Sequence, residues 1–442
     1  MISGFPAILG RMGKVVELDT SGNSQPRGQK VKRGKRNVSK TALVLGGGGF
    51  TGGVYEIGAL RALDLLAVNH TVNEFDIYVG TSAGSFIASL TANGVTPEEM
   101  MRVLNSELRS PIPDIDLSML LRPNYGGFLR GSLTLPLKVA GIVKEVFEKE
   151  SSVVDLATGL AGLLPPGFYR GTGIEKYVHE VLSDPDRTDD FRHLASELYL
   201  TATDLDTTER VILGEGEWSD VPISTAVAAS GALPMIYEPV EIKGREFIDG
   251  GILSTTNIDV AIERGARFVV VINPLVPYVN DFGKSIPTVT GSRVQHVSDM
   301  GLAGIGNQVF RMMSHDRLHR AVEIWEERYP GVDIVLIEPE LDDALMFGTS
   351  ILDYKARLEI AKHGFESVTL KLARDYDRYR AIAQRHGIEI SKRRVRHAMD
   401  HVERAAESRA AWRRVLEQTT STLMRSGPKA APEPVEDEAL DA

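Results

Sequence analysis

The sequence predicts an α/β fold with a mostly parallel central sheet. The first observation is an apolar strand, Thr41–Leu45, that runs directly into a glycine-rich loop and a helix. The second is the same order at residues 75–92, where an apolar strand precedes a helix of small side chains. The third is a pair of apolar runs, Phe268–Ile272 and Val332–Ile337, separated by a helical stretch near residues 294–328. Continuous apolar strands that alternate with helices are typical of parallel sheets covered on both faces.

The glycine-rich loop occupies residues 46–53, and a helix is predicted over residues 54–67. Glycines allow consecutive backbone N–H groups to turn toward one point, and the helix N-terminus adds unpaired donors, so the loop can hold an anion or an oxyanion. Gly47, Gly49 and Gly52 also satisfy the G-x-G-x-x-G pattern, but no acidic residue ends the second strand as dinucleotide folds require. A phosphate-binding loop is disfavoured because no Lys-Ser or Lys-Thr pair follows the glycines.

The segment Gly80-Thr81-Ser82-Ala83-Gly84 has the G-x-S-x-G pattern of a nucleophile elbow. A serine at so sharp a strand-to-helix turn has a strained backbone, and its hydroxyl projects above the sheet. The pattern can also arise by chance in a chain that holds 42 glycines. The oxyanion-hole interpretation of the glycine loop favours the elbow, because it explains why the loop and the serine turn end neighbouring strands. Ser82 is therefore the first candidate nucleophile.

A nucleophilic serine needs a base, and an aspartate at a strand end is the favoured candidate. Asp249 ends a short apolar strand, and Gly250 and Gly251 after it permit a tight turn and close approach of another backbone. The alternative is that Asp249 only caps the helix predicted to begin near Thr255 or Thr256, or holds a turn.

A histidine base is the less favoured alternative. His296, His315 and His319 follow plausible acids in the chain order Ser, Asp, His of α/β-hydrolase triads. All three lie in a polar, helix-like stretch that is typical of solvated histidines rather than catalytic ones.

The motifs at residues 47–52, 80–84 and 249–251, taken in this order, resemble the patatin-like phospholipase family. Three further segments are similar to the family's first helix, to a strand that precedes a hairpin, and to a small-residue helix: 53–60, 202–205 and 228–234. The resemblance covers roughly residues 41 to 275. It implies a three-layer α/β/α sandwich and an enzyme that cleaves acyl esters of lipids through a serine-aspartate dyad, without a histidine.

The resemblance also implies residue roles. Ser82 would be the nucleophile, Asp249 its base, and the backbone amides of Gly47, Gly48 and Gly49 the oxyanion hole. Five further glycines would support the motifs: Gly52, Gly80, Gly84, Gly250 and Gly251. Since a free aspartate has a pKa near 3.9, Asp249 would need direct contact and desolvation to act as a base at neutral pH.

One position departs from the family pattern. The family's glycine loop commonly carries an arginine or lysine where this chain has Thr51. A missing cation could lower activity or change the preference for anionic head groups. The alternative function is therefore a weakly active or noncatalytic lipid-binding protein that keeps the fold. A histidine-dependent esterase is the third hypothesis.

An insertion at about residues 108–195 separates the elbow from the second half of the sheet, and its stretch 153–169 is apolar. A lipid hydrolase needs apolar surface beside its serine, so we expect this insertion to form a helical lid or an interfacial face. A buried cap helix without lipid contact is the alternative.

The remaining segments complete the expected domain organisation. Residues 41–385 form the predicted catalytic domain, which ends in one long helix over residues 350–385, and a charged helix follows at residues 386–427. Residues 1–40 are polar and basic and residues 428–442 are rich in alanine, proline and acid, so both are predicted to be disordered tails.

Composition restricts the function classes. The chain has 442 residues, 43% of them hydrophobic, a net charge of −10 and no cysteine, which excludes disulfides, thiol catalysis and thiolate metal sites. No cofactor, metal ion or nucleic-acid partner is expected. Without a signal peptide or a membrane-spanning run, the protein is expected to be cytoplasmic, with peripheral membrane contact through the apolar insertion or the basic tail as an option. The oligomeric state stays open.

Overall fold

The structure is a computed structural model, and the residues that it describes all lie within residues 39–405. They are 39–105, 112–113, 115, 121–124, 165–283, 285–288, 292–350 and 354–405. Residues 1–38 of the predicted basic tail, the predicted tail at residues 428–442, most of the first part (residues 108–164) of the predicted insertion at about 108–195, and residues 406–427 of the predicted charged helix lie outside these ranges.

The described residues form strands and helices that alternate along the chain. The strands are β1 (Thr41–Leu45), β2 (Ile77–Thr81), β3 (Arg122–Pro123), β4 (Gly167–Arg170), β5 (Glu197–Asp204), β6 (Arg210–Leu213), β7 (Met235–Tyr237), β8 (Val240–Ile242), β9 (Arg245–Asp249), β10 (Phe268–Ile272), β11 (Ile286–Pro287), β12 (Arg293–Val294) and β13 (Asp333–Ile337). The helices are α1 (Gly49–Leu66), α2 (Ala83–Ala92), α3 (Pro97–Asn105), α4 (Thr172–Leu182), α5 (Ile223–Ser230), α6 (Ile258–Glu263), α7 (Gly301–Arg328), α8 (Ala344–Gly348), α9 (Arg357–Arg374), α10 (Tyr376–Arg385) and α11 (Lys392–Ala405).

The central sheet has eight strands in the order β13-β10-β1-β2-β5-β9-β8, with β6 paired to β5. The pairs from β13 through β5 are all parallel, whereas β6, β9 and β8 join by antiparallel pairing. The prediction of a mostly parallel central sheet is therefore confirmed. The hairpin expected after residues 202–205 is also present, as β5 and β6.

Both faces of the sheet are covered by helices. On one face, Val44 and Val271 belong to a buried cluster with α6 and with Leu318 of α7. On the other face, Val270 borders the same apolar space as Leu66 of α1 and side chains of α9 and α10. Successive residues of one strand, such as Val270 and Val271, thus face opposite helical layers, as the two-residue period of a strand requires. The result is the expected three-layer α/β/α arrangement.

The strand register brings three separate segments to one level of the sheet. Thr81, the last residue of β2, pairs with Thr201 of β5, and the next residue of β5, Ala202, pairs with Asp249. Because β6 occupies the other edge of β5 at these positions, β9 continues along the edge where β2 ends. Ser82 and Asp249 therefore meet. Leu45 of β1 pairs with Gly80, so the glycine loop begins at this level too.

Two helix boundaries differ from the sequence prediction. Helix α1 begins at Gly49 rather than near residue 54, because the loop glycines form its first turn. This turn packs closely on Pro274: Cβ atoms on Gly48 and Gly52 would lie 2.9 and 3.0 Å from the proline ring. The helix predicted over residues 350–385 is divided into α9 and α10. Asp375 between them has a non-helical backbone (φ −113°, ψ 35°).

Helix α11 packs against the layer formed by α1 and α9, and Val395 and Ala398 on it are buried. Arg394 of α11 donates a hydrogen bond to the carbonyl oxygen of Ala67, just after α1. Among the residues that the structure describes, no helix is both long enough and apolar enough to cross a bilayer.

Candidate active site

Ser82 lies at the junction of β2 and α2 with a backbone conformation that is rare for a residue with a side chain. Its φ is 55° and its ψ is −126°. Its Oγ donates a hydrogen bond to Asp249 Oδ2 over 2.6 Å. A serine on a strained strand-to-helix turn, in direct contact with a potential base, is the arrangement that nucleophilic catalysis requires.

The turn at Ser82 is possible only because both flanking glycines lack side chains. A Cβ atom on Gly80 would lie 2.5 Å from the Cα of Ser85, and one on Gly84 would lie 2.3 Å from the carbonyl oxygen of Leu45. Gly250 is restricted in the same way, at 2.3 Å from the carbonyl oxygen of Thr201. The spacing of glycines around the serine is thus explained by backbone contact.

Asp249 is buried, with 3% of its surface exposed. Its Oδ1 accepts a hydrogen bond from the Gly251 amide at 2.7 Å, which fixes the carboxylate so that Oδ2 faces Ser82. Burial raises the pKa of Asp249 to about 6, against the opposing effect of the hydrogen bonds from Ser82 and Gly251. Asp249 also caps the short turn Gly250–Ile252, as the turn alternative expects, whereas the next helix begins only at Ile258.

Ser230, at the end of α5, holds the backbone of the nucleophile. The Ser82 amide donates to Ser230 Oγ at 2.9 Å, and Ser230 Oγ donates to the carbonyl oxygen of Thr201 at 2.7 Å. The sequence interpretation noted the small-residue helix that contains Ser230 but assigned this side chain no role. In the sequence, Ser230 is indicated only by being a single hydroxyl side chain at the end of a run of small apolar residues.

Asn257 forms a second support beneath the elbow. Its Nδ2 donates to the hydroxyls of Thr81 and Thr201 at 2.9 and 3.0 Å. Its Oδ1 accepts from Arg210 at 2.8 Å. This fully buried amide ties the ends of β2 and β5 together, and nothing in its local sequence indicates that position.

The glycine loop lies against the serine, with an ideal Cβ on Gly47 only 3.2 Å from Ser82 Cβ. The amide of Gly47 donates to the carbonyl oxygen of Thr255 at 3.0 Å, so it is already used. Within the described part of the chain, the amides of Gly48 and Gly49 have no hydrogen-bond partner. The expected three-donor oxyanion hole is therefore corrected to two candidate donors, at the N-terminus of α1.

Thr51 does not leave an open position in the loop. Its side chain is buried, and its hydroxyl donates to the carbonyl oxygen of Ser350 at 2.7 Å. The residue that departs from the family pattern therefore connects the first turn of α1 to the segment before α9. A lysine or arginine could not adopt this buried position without a partner for its charge.

Glu56 is a second buried carboxyl, on α1 close to the backbone of Gly46. Burial raises its pKa well above the ordinary value, because desolvation disfavours the charged form. Sequence reasoning missed Glu56, which looks like any polar residue in a helix.

An apolar cavity of about 970 Å³, including the part open to solvent, lies beside Ser82. Side chains of several helices and of the loop before β7 form its wall, among them Val54, Ile57, Phe86, Ile87, Val227 and Leu233. Ile115, Leu121 and Ile174 of the predicted insertion also contribute to the wall. The described part of the insertion thus borders the cavity, while its residues 153–164 lie outside the described ranges.

The structure does not bring the three candidate histidines to the serine. His296 is exposed at the start of a short turn, and His319 contacts Glu338. His315 stacks near His319, with 4.0 Å between ring centres. Among the described residues, no histidine forms a hydrogen bond with Ser82 or Asp249.

Comparison with known proteins decides the family. The patatin-like phospholipase family model matches residues 43–262, a segment that contains both Ser82 and Asp249. The chain belongs to the patatin-like phospholipase family. The patatin-like domain thus begins in β1 and ends in α6, and it includes the glycine loop and the whole candidate site.

Outside the family model, the similarities are distant. A probable lipid hydrolase, 463L of Invertebrate iridescent virus 6, is 24% identical over 221 residues, which is 50% of this chain and 63% of that protein. The match to this patatin-like chain thus spans less than two thirds of the relative's length. Among solved structures, VipD from Legionella pneumophila is 17% identical with 92% of this chain and 91% of that chain covered, at a TM-score of 0.30.

ExoU from Pseudomonas aeruginosa, in complex with SpcU, is 14% identical with 86% of this chain and 71% of that chain covered, at a TM-score of 0.27. TM-scores this low establish no detailed structural correspondence. The patatin fold is assigned from the family match and from the sheet described above.

Proposed function

We propose that this chain is a lipid acyl hydrolase, a phospholipase A or lysophospholipase-like esterase, in which Ser82 is the nucleophile and Asp249 the base. The observation that carries the proposal is the 2.6 Å hydrogen bond from Ser82 Oγ to the buried Asp249 carboxylate, beside an apolar cavity. The family match and the lipid hydrolase relative support the substrate class.

In the proposed reaction, Ser82 Oγ attacks the ester carbonyl carbon while its proton passes to Asp249 Oδ2. The tetrahedral intermediate collapses when Asp249 returns that proton to the leaving alcohol, which leaves an acyl group on Ser82. Water then attacks the acyl-serine, Asp249 takes the water proton and passes it to Ser82, and the fatty acid departs. A pKa of about 6 makes Asp249 a stronger base than a solvated aspartate while it is still ionised at neutral pH.

The oxyanion would be held by the amides of Gly48 and Gly49 at the N-terminus of α1. The dipole of this 18-residue helix places partial positive charge there, which compensates for the absence of a basic residue at Thr51. Loss of one such donor typically costs about 3 kcal/mol of transition-state stabilisation. The loop is thus as necessary to the proposal as the dyad.

The acyl chain of the substrate would lie in the apolar cavity. A cavity lined by aliphatic and aromatic side chains favours a hydrocarbon chain, since each buried methylene contributes about 0.8 kcal/mol. The carbonyl carbon would then lie at Ser82, where the cavity meets the elbow.

The test is hydrolysis of a short-chain p-nitrophenyl ester and of phosphatidylcholine vesicles by the wild type, Ser82→Ala and Asp249→Asn. We expect both variants to lose about a thousandfold or more of kcat, because members of one catalytic unit fail together. Labelling of the wild type by a fluorophosphonate, and its loss in Ser82→Ala, identifies the nucleophile.

Two matched controls test whether the loss is specific. Ser89→Ala removes another buried hydroxyl of α2, which donates only to the Phe86 carbonyl oxygen. Asp64→Asn removes another carboxyl whose pKa burial raises to about 6, but on α1 away from the serine. Both controls should retain turnover. A wild type that is folded, inactive toward both esters and unlabelled by the probe would instead favour a noncatalytic lipid-binding protein.

A further inference from the structure

A second group of polar side chains lies at the carboxyl edge of the sheet. His315 and His319 are one turn apart on α7, so they share one face of that helix. Glu338 directly follows β13. One potential ligand atom from each of the three residues lies within 4.8 Å of the others, and all three side chains are half-buried.

The three residues supply the donor set that catalytic zinc sites use. Two imidazole nitrogens and one carboxylate oxygen bind Zn²⁺ at about 2.0 to 2.2 Å in four-coordinate sites, with a water molecule as the fourth ligand. Ligand atoms around such an ion are about 3.4 Å apart, from the same bond lengths in a tetrahedron. His319 Nε2 and Glu338 Oε2 are already 3.0 Å apart. Small side-chain rotations at His315 would complete the set.

The carboxylate of Glu338 is held in position by a neighbour across the sheet. Asn273 and Glu338 follow the paired residues Ile272 and Ile337 at the ends of β10 and β13. Asn273 Nδ2, which is fully buried, donates to Glu338 Oε1 at 2.8 Å. This bond leaves Oε2 directed to the histidines. Such a second layer of hydrogen bonds around a ligand is a regular feature of metal sites.

The nearby cations are engaged elsewhere. Arg320 is paired with Asp316 at 2.9 Å on the outer side of α7. Arg317 donates to the carbonyl oxygens of Ile252 and Leu253, at 3.0 and 3.2 Å. Neither guanidinium thus neutralises Glu338 through these contacts, and the carboxylate is available to a cation bound between it and the imidazoles.

We propose that His315, His319 and Glu338 bind one divalent transition-metal ion of the Zn²⁺ class. Imidazole ligands select Zn²⁺, Co²⁺, Ni²⁺ or Cu²⁺ over Mg²⁺ and Ca²⁺, which prefer oxygen ligands. The site is separate from the proposed dyad, because three strand spacings of about 4.8 Å, or about 14 Å in all, lie between the ends of β2 and β13. The proposal does not depend on the proposed hydrolase function.

The test measures Zn²⁺ binding by isothermal titration calorimetry. It uses the full chain without a polyhistidine tag, after metals have been removed with EDTA. Co²⁺ is added in a parallel titration, because its visible absorption reports four-coordinate geometry. The variants are His315→Ala and Glu338→Gln. The matched control is His179→Ala, which removes a helical histidine that also contacts a carboxylate, Asp189, but has no second histidine beside it.

We expect one Zn²⁺ per chain and an affinity reduced about a hundredfold in either variant. Loss of a second-layer partner alone lowers metal affinity by about 10- to 100-fold, and loss of a direct ligand should reach the upper end of that range. His179→Ala should bind like the wild type, and circular dichroism should show all chains folded. The proposal is overturned if the wild type binds no Zn²⁺, if Glu338→Gln binds it as tightly as the wild type, or if His179→Ala loses as much affinity as His315→Ala.

Discussion

The ends of β2 and β13 lie at the same edge of one sheet, but their side-chain clusters have opposite physical characters. Beside the end of β2, Asp249 of β9 is 3% exposed, and its described partners are the Ser82 hydroxyl and the Gly251 backbone amide. At the end of β13, the side chains of His319 and Glu338 are 43% and 10% exposed, and polar partners surround the carboxylate. The first region is a desolvated carboxylate in close-packed backbone, and the second is a partly exposed set of nitrogen and oxygen donors.

The difference shows how one sheet edge can serve two kinds of chemistry. Burial without a cation raises the proton affinity of Asp249, which suits a base. Glu338 lies beside His319, which is partly exposed, so the group can exchange water for an ion. Register positions both groups, but burial decides what each can do. The two regions should therefore respond to substitution in different ways.

The largest expected effect is that of Gly84→Ala at the elbow. The new Cβ would lie 2.3 Å from the Leu45 carbonyl oxygen, and backbone cannot move aside as a flexible side chain can. We expect a loss of about 3 kcal/mol or more in the free energy of unfolding, or no folded protein. Urea denaturation followed by circular dichroism measures it.

Gly306→Ala in α7 is the matched control near the histidine cluster. No atom lies within 4 Å of the added Cβ, and the residue is exposed. Alanine should raise the free energy of unfolding by about 0.5 to 1 kcal/mol through its higher helix propensity. Equal effects of the two substitutions would contradict the view that backbone contact limits the elbow at Gly84 and not the helix at Gly306.

The second effect concerns stability and pH. The folded-state pKa of Asp249, about 6, lies above the ordinary aspartate value, so its contribution to stability is complete below the ordinary value and is lost as pH rises through about 6. Asp249→Asn removes this dependence. The stability of the variant relative to the wild type should thus increase by about 2 kcal/mol from about pH 4.5 to about pH 8.

Urea denaturation at several pH values, with Ser82→Ala as a reference that keeps the carboxyl, measures this difference. A relative stability of Asp249→Asn that does not change with pH would mean that Asp249 is not desolvated. In that case the contrast between the two regions would fail.

The third effect is the pH dependence of turnover. Since the base must be ionised, kcat/KM should fall about tenfold for each pH unit below about 6. Asp64→Asn should show the same profile, although burial gives Asp64 a similar pKa. The profile is measured with the p-nitrophenyl ester by initial rates, with release followed at the isosbestic wavelength. If Asp64→Asn shifted the profile, the ionisation that controls kcat/KM would belong to Asp64 and not to Asp249.

Much of this contrast follows from local sequence, but not all of it. The strands at residues 41–45 and 268–272 are found at the predicted positions, because continuous β-branched and apolar runs indicate buried strands without tertiary information. Ser82 and Asp249 could be named because the glycines next to them, on both sides of Ser82 and directly after Asp249, indicate tight backbone turns in the sequence itself. Their contact depends on β5 extending beyond β2, which only the assembled sheet shows.

The errors have a common physical origin. The predicted start of α1 is too late, because glycine has a low helix propensity. In the structure, the close packing of Gly48 and Gly52 against Pro274 outweighs this propensity. The local sequence does not show that the Gly47 amide is already engaged, because its hydrogen-bond partner, Thr255, lies far along the chain. The contact of Glu338 with His319 depends on the pairing of β13 with β10, which the local sequence does not indicate. In each case a nonlocal partner decided the outcome.

The smallest effects compare one side chain from each region. Ser230→Ala removes a buried hydroxyl that joins the Ser82 amide to Thr201, and an unsatisfied buried group costs about 1 to 3 kcal/mol. His315→Ala in EDTA removes a half-buried ring that has no hydrogen bond among the described residues, so we expect about 0.5 kcal/mol or less. Thermal and urea unfolding of both variants measures the difference. The cost for His315→Ala should be small, because a site prepared for an exchangeable ion has little packing to lose. A cost equal to that for Ser230→Ala would mean that the histidine pair stabilises the fold without metal.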